Sequence, residues 1–290
     1  MKSLCVKAFP AERPYIENDE DHLALFAVAM DGAALCTVVG IDGSFSRRLG
    51  AQLAILPDGT IVGTLADGCL ERQLASDCRR TDTAIVKRYG RGSDKIDFRL
   101  PCGGGLDVLI DPAPDRSACV AALQALSRRS EARLVLAPNP FLTARRYLPR
   151  LVVRAFGDGA ELEALHAIGL ASGIDCQVVA QNTLTLARHS GLMPADRWTA
   201  IVLLYHDHEW EVALLDEALD SEAFYIGAQG GHNARSTRLD QMRRRGVGEG
   251  KLARIRSPMG TPPGSRTPQS LALAVLAEIA GEYERLRSVA

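Results

Sequence analysis

The hydrophobic rhythm of this chain changes near residue 150, and that change constrains the fold more than any single motif. From Leu151 onward strand-like and helix-like runs alternate: strand Leu151–Phe156, helix Glu161–Ser172, strand Cys176–Ala180, strand Ala200–Tyr205, helix Glu209–Asp220 and strand Ala223–Ile226. Helices over Arg235–Arg245 and Gln269–Arg285 follow, with Pro268 near a first turn, where its missing N–H does no harm. Alternation of this kind implies a parallel sheet covered by helices on both faces. The unbroken apolar run Ala200-Ile201-Val202-Leu203-Leu204 suits such a doubly covered strand.

Before residue 150 the pattern differs. A short helix over Asp21–Met30 precedes strand-like runs at Ala34–Ile41, Ala51–Leu56 and Thr60–Leu65. Asp58-Gly59 between the last two predicts a hairpin with a tight primed turn. Gly68–Arg80 reads as a helix, with Leu70, Leu74 and Cys78 at spacings of four. Strands at Ala84–Tyr89 and Leu106–Ile110, a helix at Arg116–Ser127 and a strand at Ala132–Leu136 complete this half. The expected architecture is α/β: a mixed α+β domain over residues 1–148, then a Rossmann-like parallel-sheet domain over 149–290. The proline-containing stretch Ala137–Pro149 is read as the boundary.

Charge and cysteine content narrow the function classes. Lys plus Arg number 34 and Asp plus Glu 35 in a chain of 290 residues. Residues 1–150 carry 20 basic and 18 acidic side chains and the remainder 14 and 17, so neither half has the basic excess that a phosphate backbone demands. Nucleic acid is not an expected partner. No apolar run approaches the ~20 residues of a membrane span, and the first ten residues lack a signal-peptide core. Seven cysteines, odd in number and without a CxxC pair, fit a reducing compartment. The expectation is a cytoplasmic protein without a membrane partner.

Several segments carry candidate chemistry. Pro101-Cys102-Gly103-Gly104-Gly105 puts a cysteine beside three glycines, which permit close approach of a ligand or simply a tight entry into a strand. Gly68-Cys69-Leu70-Glu71 places a second cysteine at a helix start, where the dipole favours negative charge, unless it only packs the first turn. The other five cysteines are read as core or surface filler. The loop Gly43 to Ala51 carries Ser44, Ser46, Arg47 and Arg48, groups that grip oxyanions or merely solvate a turn. Gly157-Asp158-Gly159 occupies the position of a Rossmann phosphate turn, with Leu162 in place of a third small residue and Gln181-Asn182 in place of a ribose-binding acid. His206-Asp207-His208 follows a strand directly, and either Asp207 or His208 is expected to cap the helix at Glu209. Gly227 to Asn233, with Gly227 and Gly230, reads as another strand-end loop.

Taken in order, these pieces resemble the XdhC/CoxI family of accessory proteins for molybdenum hydroxylases. The likeness is carried by Gly43–Arg47, Gly50-Ala51, Gly68–Glu71 and Cys102-Gly103-Gly104 in the first half. In the second it is carried by Gly157/Gly159, His206-Asp207-His208, Tyr225-Ile226-Gly227, Pro258-Met259-Gly260, Gly264 and Thr267-Pro268. Departures from the family pattern include Ala66-Asp67-Gly68 before the first cysteine, Ser46 before the loop arginine and Gly157-Asp158-Gly159-Ala160 in the turn. The resemblance implies a chaperone that binds the molybdenum cofactor in its molybdopterin form. It also implies that the chaperone supports sulfuration by a cysteine desulfurase and inserts the cofactor into a xanthine dehydrogenase-type apo-enzyme, as a homodimer. It further implies that Cys69 and Cys102 hold the molybdenum centre, that Arg47 holds the pterin phosphate, and that Ser44, Gly68, Glu71, Gly103, Gly104, Gly157, Gly159, His206, His208, Gly227 and Gly230 contribute to binding. The alternative is an NAD(P)-dependent oxidoreductase using Gly157 and Gly159, with His206 or His208 as acid–base.

Overall fold

A computed structural model describes residues 20–66, 68–93, 103–205, 209–261 and 264–288. The chain divides into two compact units, Met1–Leu148 and Pro149–Ala290. The first contains α1 (Glu20–Asp31), β1 (Ala34–Asp42), β2 (Gln52–Ile55), β3 (Ile61–Val62), α2 (Cys69–Cys78), β4 (Ile85–Gly90), β5 (Gly105–Asp111), α3 (Arg116–Ser127), β6 (Ala132–Val135) and β7 (Ala144–Tyr147).

Five of these strands form one antiparallel sheet in the order β3-β2-β1-β5-β4. The central strand β1 is apolar on both faces, and successive side chains of a strand point opposite ways. Leu35 and Val39 pack against Leu25 and Val28 of α1 and Cys119 and Ala122 of α3. Cys36 and Val38 pack on the other face against Leu70, Leu74 and Ala75 of α2. A buried relay crosses the first layer: Tyr147 Oη donates to Gln52 Oε1 at 2.5 Å, and Gln52 Nε2 donates to Thr37 Oγ1 at 2.9 Å.

Two details differ from the sequence reading. The stretch read as a boundary holds β7, which pairs antiparallel with β6 and sends Tyr147 into the core of the first unit. Its Arg145-Arg146 pair hides the strand signal, and the turn before it is set by Asn139, whose side chain bonds Ala137, Phe141 and Leu142 backbone groups. The hairpin at Asp58-Gly59 exists, but its turn is not primed. Only Gly59 has positive φ, at 85°, and its N–H bonds the Leu56 carbonyl, leaving a wider loop closed by Leu56 N–H to Thr60. Pro57, with φ fixed near −65°, favours this arrangement.

The second unit contains β8 (Val152–Gly157), α4 (Gly159–Ala171), β9 (Asp175–Ala180), β10 (Thr199–Leu204), α5 (Glu211–Asp220), β11 (Tyr225–Ala228), α6 (His232–Arg244), α7 (Glu249–Leu252), β12 (Ile255–Arg256) and α8 (Pro268–Ser288). All five strands run parallel in the order β12-β11-β10-β8-β9. Leu162 and Leu165 of α4 with Val275 and Ile279 of α8 cover one face, and Leu214 and Leu215 of α5 with Met242 of α6 cover the other. This is the Rossmann-like parallel sheet that the alternation predicts. The strand order reverses between β8 and β10, so the crevice outside their carboxyl ends is the topological switch point. The sequence reading missed α7 and β12, elements of four and two residues, too short to show a period. Helix α5 starts at Glu211 with Trp210 as its cap residue, two residues later than the sequence suggests, and Asp207 and His208 lie outside the described residues. No helix among the described residues is long and apolar enough to cross a membrane.

A buried ion pair ties the switch-point end together. Arg238 of α6 binds Glu211 at the start of α5 through Nε–Oε2 at 2.9 Å and Nη2–Oε1 at 3.0 Å. Nη1 donates to Ser257 Oγ at 2.8 Å, and Nη2 donates also to the Gln229 carbonyl at 2.6 Å. Both side chains are almost fully buried. Removing one member of such a pair costs about 3–5 kcal/mol, because a buried charge is left without its partner. Arg238→Met is therefore expected to lower stability by that amount in urea unfolding, and Arg238→Met combined with Glu211→Leu to recover most of it.

Candidate functional site

Strand direction gathers the candidate loops of the first unit at one end of its sheet. The β1–β2 loop, the β3–α2 loop and the end of the β4–β5 connection all lie there, because Asp42 pairs with Gly105, Gly105 with Gly90, and β2 and β3 run antiparallel to one another. At Gly43 an added Cβ would stand 3.5 Å from the Gly104 Cα, so these two loops touch. Arg47, half-buried, donates from Nε to the Thr64 carbonyl at 3.3 Å and links the first loop to the second.

The β3–α2 loop is organised by Glu71. Its Oε1 accepts from Thr64 Oγ1 at 3.1 Å, Leu65 N at 2.9 Å and Ala66 N at 2.6 Å, and its Oε2 accepts from Gly68 N at 2.8 Å. Burial opposes the charge of Glu71, but the backbone N–H donors and Thr64 outweigh it and hold the carboxyl below its ordinary value. Glu71 therefore acts on the loop. Gly68, the cap residue of α2, has φ 88°, a conformation that costs most side chains energy. This turn presents Cys69 as the first residue of α2, exposed, with Arg72 Nη2 donating to its Sγ at 3.3 Å. A helix start and a guanidinium together make the surroundings of this sulfur electropositive.

Ser44 is exposed on the β1–β2 loop; Gly103 is exposed with φ 68° and open space around its Cα, and Gly104 is buried. The structure thus gathers Ser44, Arg47, Gly68, Cys69, Glu71, Gly103 and Gly104 at one end of one sheet. Cys102, His206 and His208 lie outside the described residues. Of the cysteines set aside, Cys36, Cys119 and Cys176 are buried and Cys78 is half-buried. Burial pushes Cys119 and Cys176 up to about 11 and raises Cys36 and Cys78 as well. Cys5 lies outside the described residues.

The sequence reading missed an ionic group beneath these loops. Arg88 Nη1 binds Asp107 Oδ2 at 2.7 Å and its Nη2 binds Asp42 Oδ2 at 2.9 Å, while Arg91 also binds Asp42. The hydrogen bond and charge of Arg91 hold the Asp42 carboxyl below its ordinary range, with help from Arg88. Gly40 and Gly105 leave room for the pair, since a Cβ at either would overlap Asp107 or Arg88. Asp107 inside the apolar run Leu106-Asp107-Val108 was the available signal.

In the second unit Gly157 ends β8 because a Cβ there would meet the Leu204 carbonyl oxygen at 2.6 Å. Gly159 opens α4 with φ 74° and nothing near it. Asp158 caps α4 in an extended conformation, exposed and without a side-chain cap bond. Tyr205, just after β10, stacks on Trp210 and buries an Oη that no hydrogen bond satisfies among the described residues. Burial, with Asp158 and Glu211 nearby, pushes its phenol up to about 12. Gly230 precedes α6 with φ 112°. Gly227 lies inside β11 rather than in a loop; a Cβ there would strike Tyr225 and Met259, so packing explains it. A dinucleotide fits this donor set poorly. Asp158 puts a like charge at the start of α4, where a diphosphate would seat, and Gln181 just after β9 supplies no acid for a ribose diol.

With both sites in view, comparison with known proteins defines the class. Residues 153–279 match the XdhC Rossmann domain and residues 29–90 match the XdhC and CoxI family. The chain is 30% identical over 296 residues to the molybdenum cofactor insertion chaperone PaoD of Escherichia coli (strain K12), covering 93% of this chain and 90% of that one. The chain belongs to the XdhC and CoxI family. It is also 26% identical over 253 residues to the uncharacterized protein YqeB of the same organism, of which it spans 42%. A solved structure described as a xanthine dehydrogenase from Bacillus halodurans superposes with a TM-score of 0.68 at 16% identity, over 90% of this chain and 95% of that one, which establishes a shared fold.

The Glu71 anchor is testable by pH. A carboxyl whose folded value is depressed stabilises the fold fully above its ordinary value of 4.5 and loses that contribution as pH falls through the lower folded value. Amide protection factors at Leu65, Ala66 and Gly68, corrected for intrinsic exchange, are expected to be constant near neutral pH and to fall below about pH 4.5. Glu71→Gln is expected to abolish that dependence and cost about 1–3 kcal/mol, because an amide cannot accept from all four donors.

Proposed function

We propose that this chain is a molybdenum-cofactor accessory protein that binds the cofactor, protects it and delivers it to a molybdenum hydroxylase of the xanthine dehydrogenase type. The relationship to an insertion chaperone over 93% of the chain carries this reading. The cofactor is cargo, and the loop end of the first sheet is the proposed place of binding, with residues 1–148 acting as the cofactor domain and 149–290 as the Rossmann-like domain.

The donor set suits the cargo. An exposed sulfur at Cys69 is a soft ligand for a molybdenum–sulfur centre, and Cys102 is proposed as the second. Arg47 and the backbone around Gly68, Gly103 and Gly104 are proposed to receive the pterin phosphate, with Ser44 as a further donor and Glu71 holding the loop in shape. Cofactor sulfuration with a cysteine desulfurase, homodimer formation and a cytoplasmic site of action complete the proposal. Gly157, Gly159, His206, His208, Gly227 and Gly230 are family positions of the second unit, and no NAD(P) role is assigned to them.

Cofactor retention is the test. Protein made in cells competent for cofactor synthesis and purified anaerobically is expected to carry molybdenum and a pterin that oxidises to a fluorescent derivative. Cys69→Ser with Cys102→Ser is expected to reduce both about tenfold or more without changing the thermal midpoint. Wild-type protein free of pterin would overturn the reading. Undiminished retention in the double variant would overturn the sulfur-ligand part alone.

A further inference from the structure

Pro258 and Gly260 play no part in the reading above, yet they form a wall of an open cavity of about 410 Å³. Arg235 from the first turn of α6, Arg256 at the end of β12, Ser257, Thr261 and Glu278 of α8 line the rest. Strand β12 is the edge strand, parallel to β11, so the cavity lies beyond the carboxyl end of the sheet edge.

The charges of this cavity are unequally spent. Glu278 accepts from the Gly260 N–H at 2.7 Å and from Thr261 Oγ1 at 3.4 Å, and it stands beside the Tyr225 phenol. Its negative charge is therefore shared among local donors. Arg235 is anchored by one nitrogen only, Nη1, which donates to the Ile255 carbonyl at 3.2 Å and the Ser257 carbonyl at 2.9 Å. Arg256 gives Nη2 to Glu282 at 3.2 Å. Nε and Nη2 of Arg235, and Nε and Nη1 of Arg256, donate to no described residue. Two guanidiniums with unspent nitrogens face one polar cavity, one of them oriented in advance by backbone carbonyls.

We propose that this cavity is a phosphate subsite, in which Arg235 and Arg256 hold the phosphomonoester of a small organic ligand. Guanidinium forks match phosphate oxygens in pairs. The cavity volume falls within the range of small-molecule sites, about 300–1,000 Å³, and leaves room for an organic group beside the anion. The inference rests on the second unit alone and stands whether or not the cofactor reading holds.

Calorimetric titration of the full chain tests it, with AMP, adenosine and inorganic phosphate as probes. AMP is expected to bind at least about tenfold more tightly than adenosine, and more tightly than inorganic phosphate. Arg256→Gln, on an exposed side chain, is expected to weaken AMP about tenfold with an unchanged thermal midpoint. Arg235→Lys, which keeps charge but loses the fork, is expected to weaken it similarly. Arg244→Gln, which removes a charge outside the cavity, is expected to leave AMP binding unchanged. Equal AMP affinity in wild type, Arg256→Gln and Arg235→Lys overturns the proposal, as does adenosine binding as tightly as AMP or no AMP binding at millimolar concentration. Inorganic phosphate binding as tightly as AMP overturns its organic-ligand part.

Discussion

Strand ladders satisfy backbone polar groups within a sheet, but the loops where the strands end must find other partners, and this constraint shapes both units. An unpaired buried backbone N–H or C=O is costly, and in each unit a charged side chain near the loops meets that demand. Glu71 gathers N–H groups of the β3–α2 loop around one carboxylate. Arg238 reaches from α6 to Glu211, Ser257 and a carbonyl of the β11–α6 loop. The two solutions are opposite in sign and equivalent in effect. Each fixes a loop at the end of a sheet without placing that loop in a hydrophobic core, so its outer surface stays open to solvent.

Satisfying the loop internally also divides labour among neighbouring residues. In Gly68-Cys69-Leu70-Glu71, four consecutive residues have four tasks. Gly68 supplies the positive φ, Cys69 faces outward, Leu70 enters the core and Glu71 holds the preceding turn. Helical geometry makes this possible, since adjacent positions differ by about 100° around the axis. A motif that reads as one unit in sequence is thus a set of orthogonal roles. The same separation operates around Arg88, whose ion pair with Asp107 sits behind the loops while glycines at 40 and 105 make room for it.

The fold was legible where hydrophobic periodicity runs long enough to declare itself. The parallel strands β8, β9 and β10 and the helices α3, α4 and α8 follow directly from such runs. What escaped was short or locally inverted: β12 has two residues, α7 has four, and β7, in the stretch read as a boundary, carries adjacent arginines that break a strand's alternation. Gly227 looked like a loop glycine, because sequence does not distinguish a residue that must bend from one that must make way for Tyr225 and Met259. For the candidate site, the sequence supplied the residues and the family resemblance, while antiparallel topology supplied their proximity. The Arg47–Thr64 link and the cluster of unspent arginine nitrogens at Arg235 and Arg256 have no signature in one dimension, since both depend on which carbonyls happen to be occupied.

The sorting of the described cysteines by burial has a consequence for how this protein ages. Cys36, Cys119 and Cys176 lie inside cores, where burial raises their thiols, and burial also raises half-buried Cys78. A peroxide or an alkylating electrophile arriving from solvent therefore meets Cys69 first among the described thiols. Chemical wear is directed to the loop end of the first sheet before the packed interior is touched, so a preparation can keep its fold and melting behaviour while that one surface has already been altered.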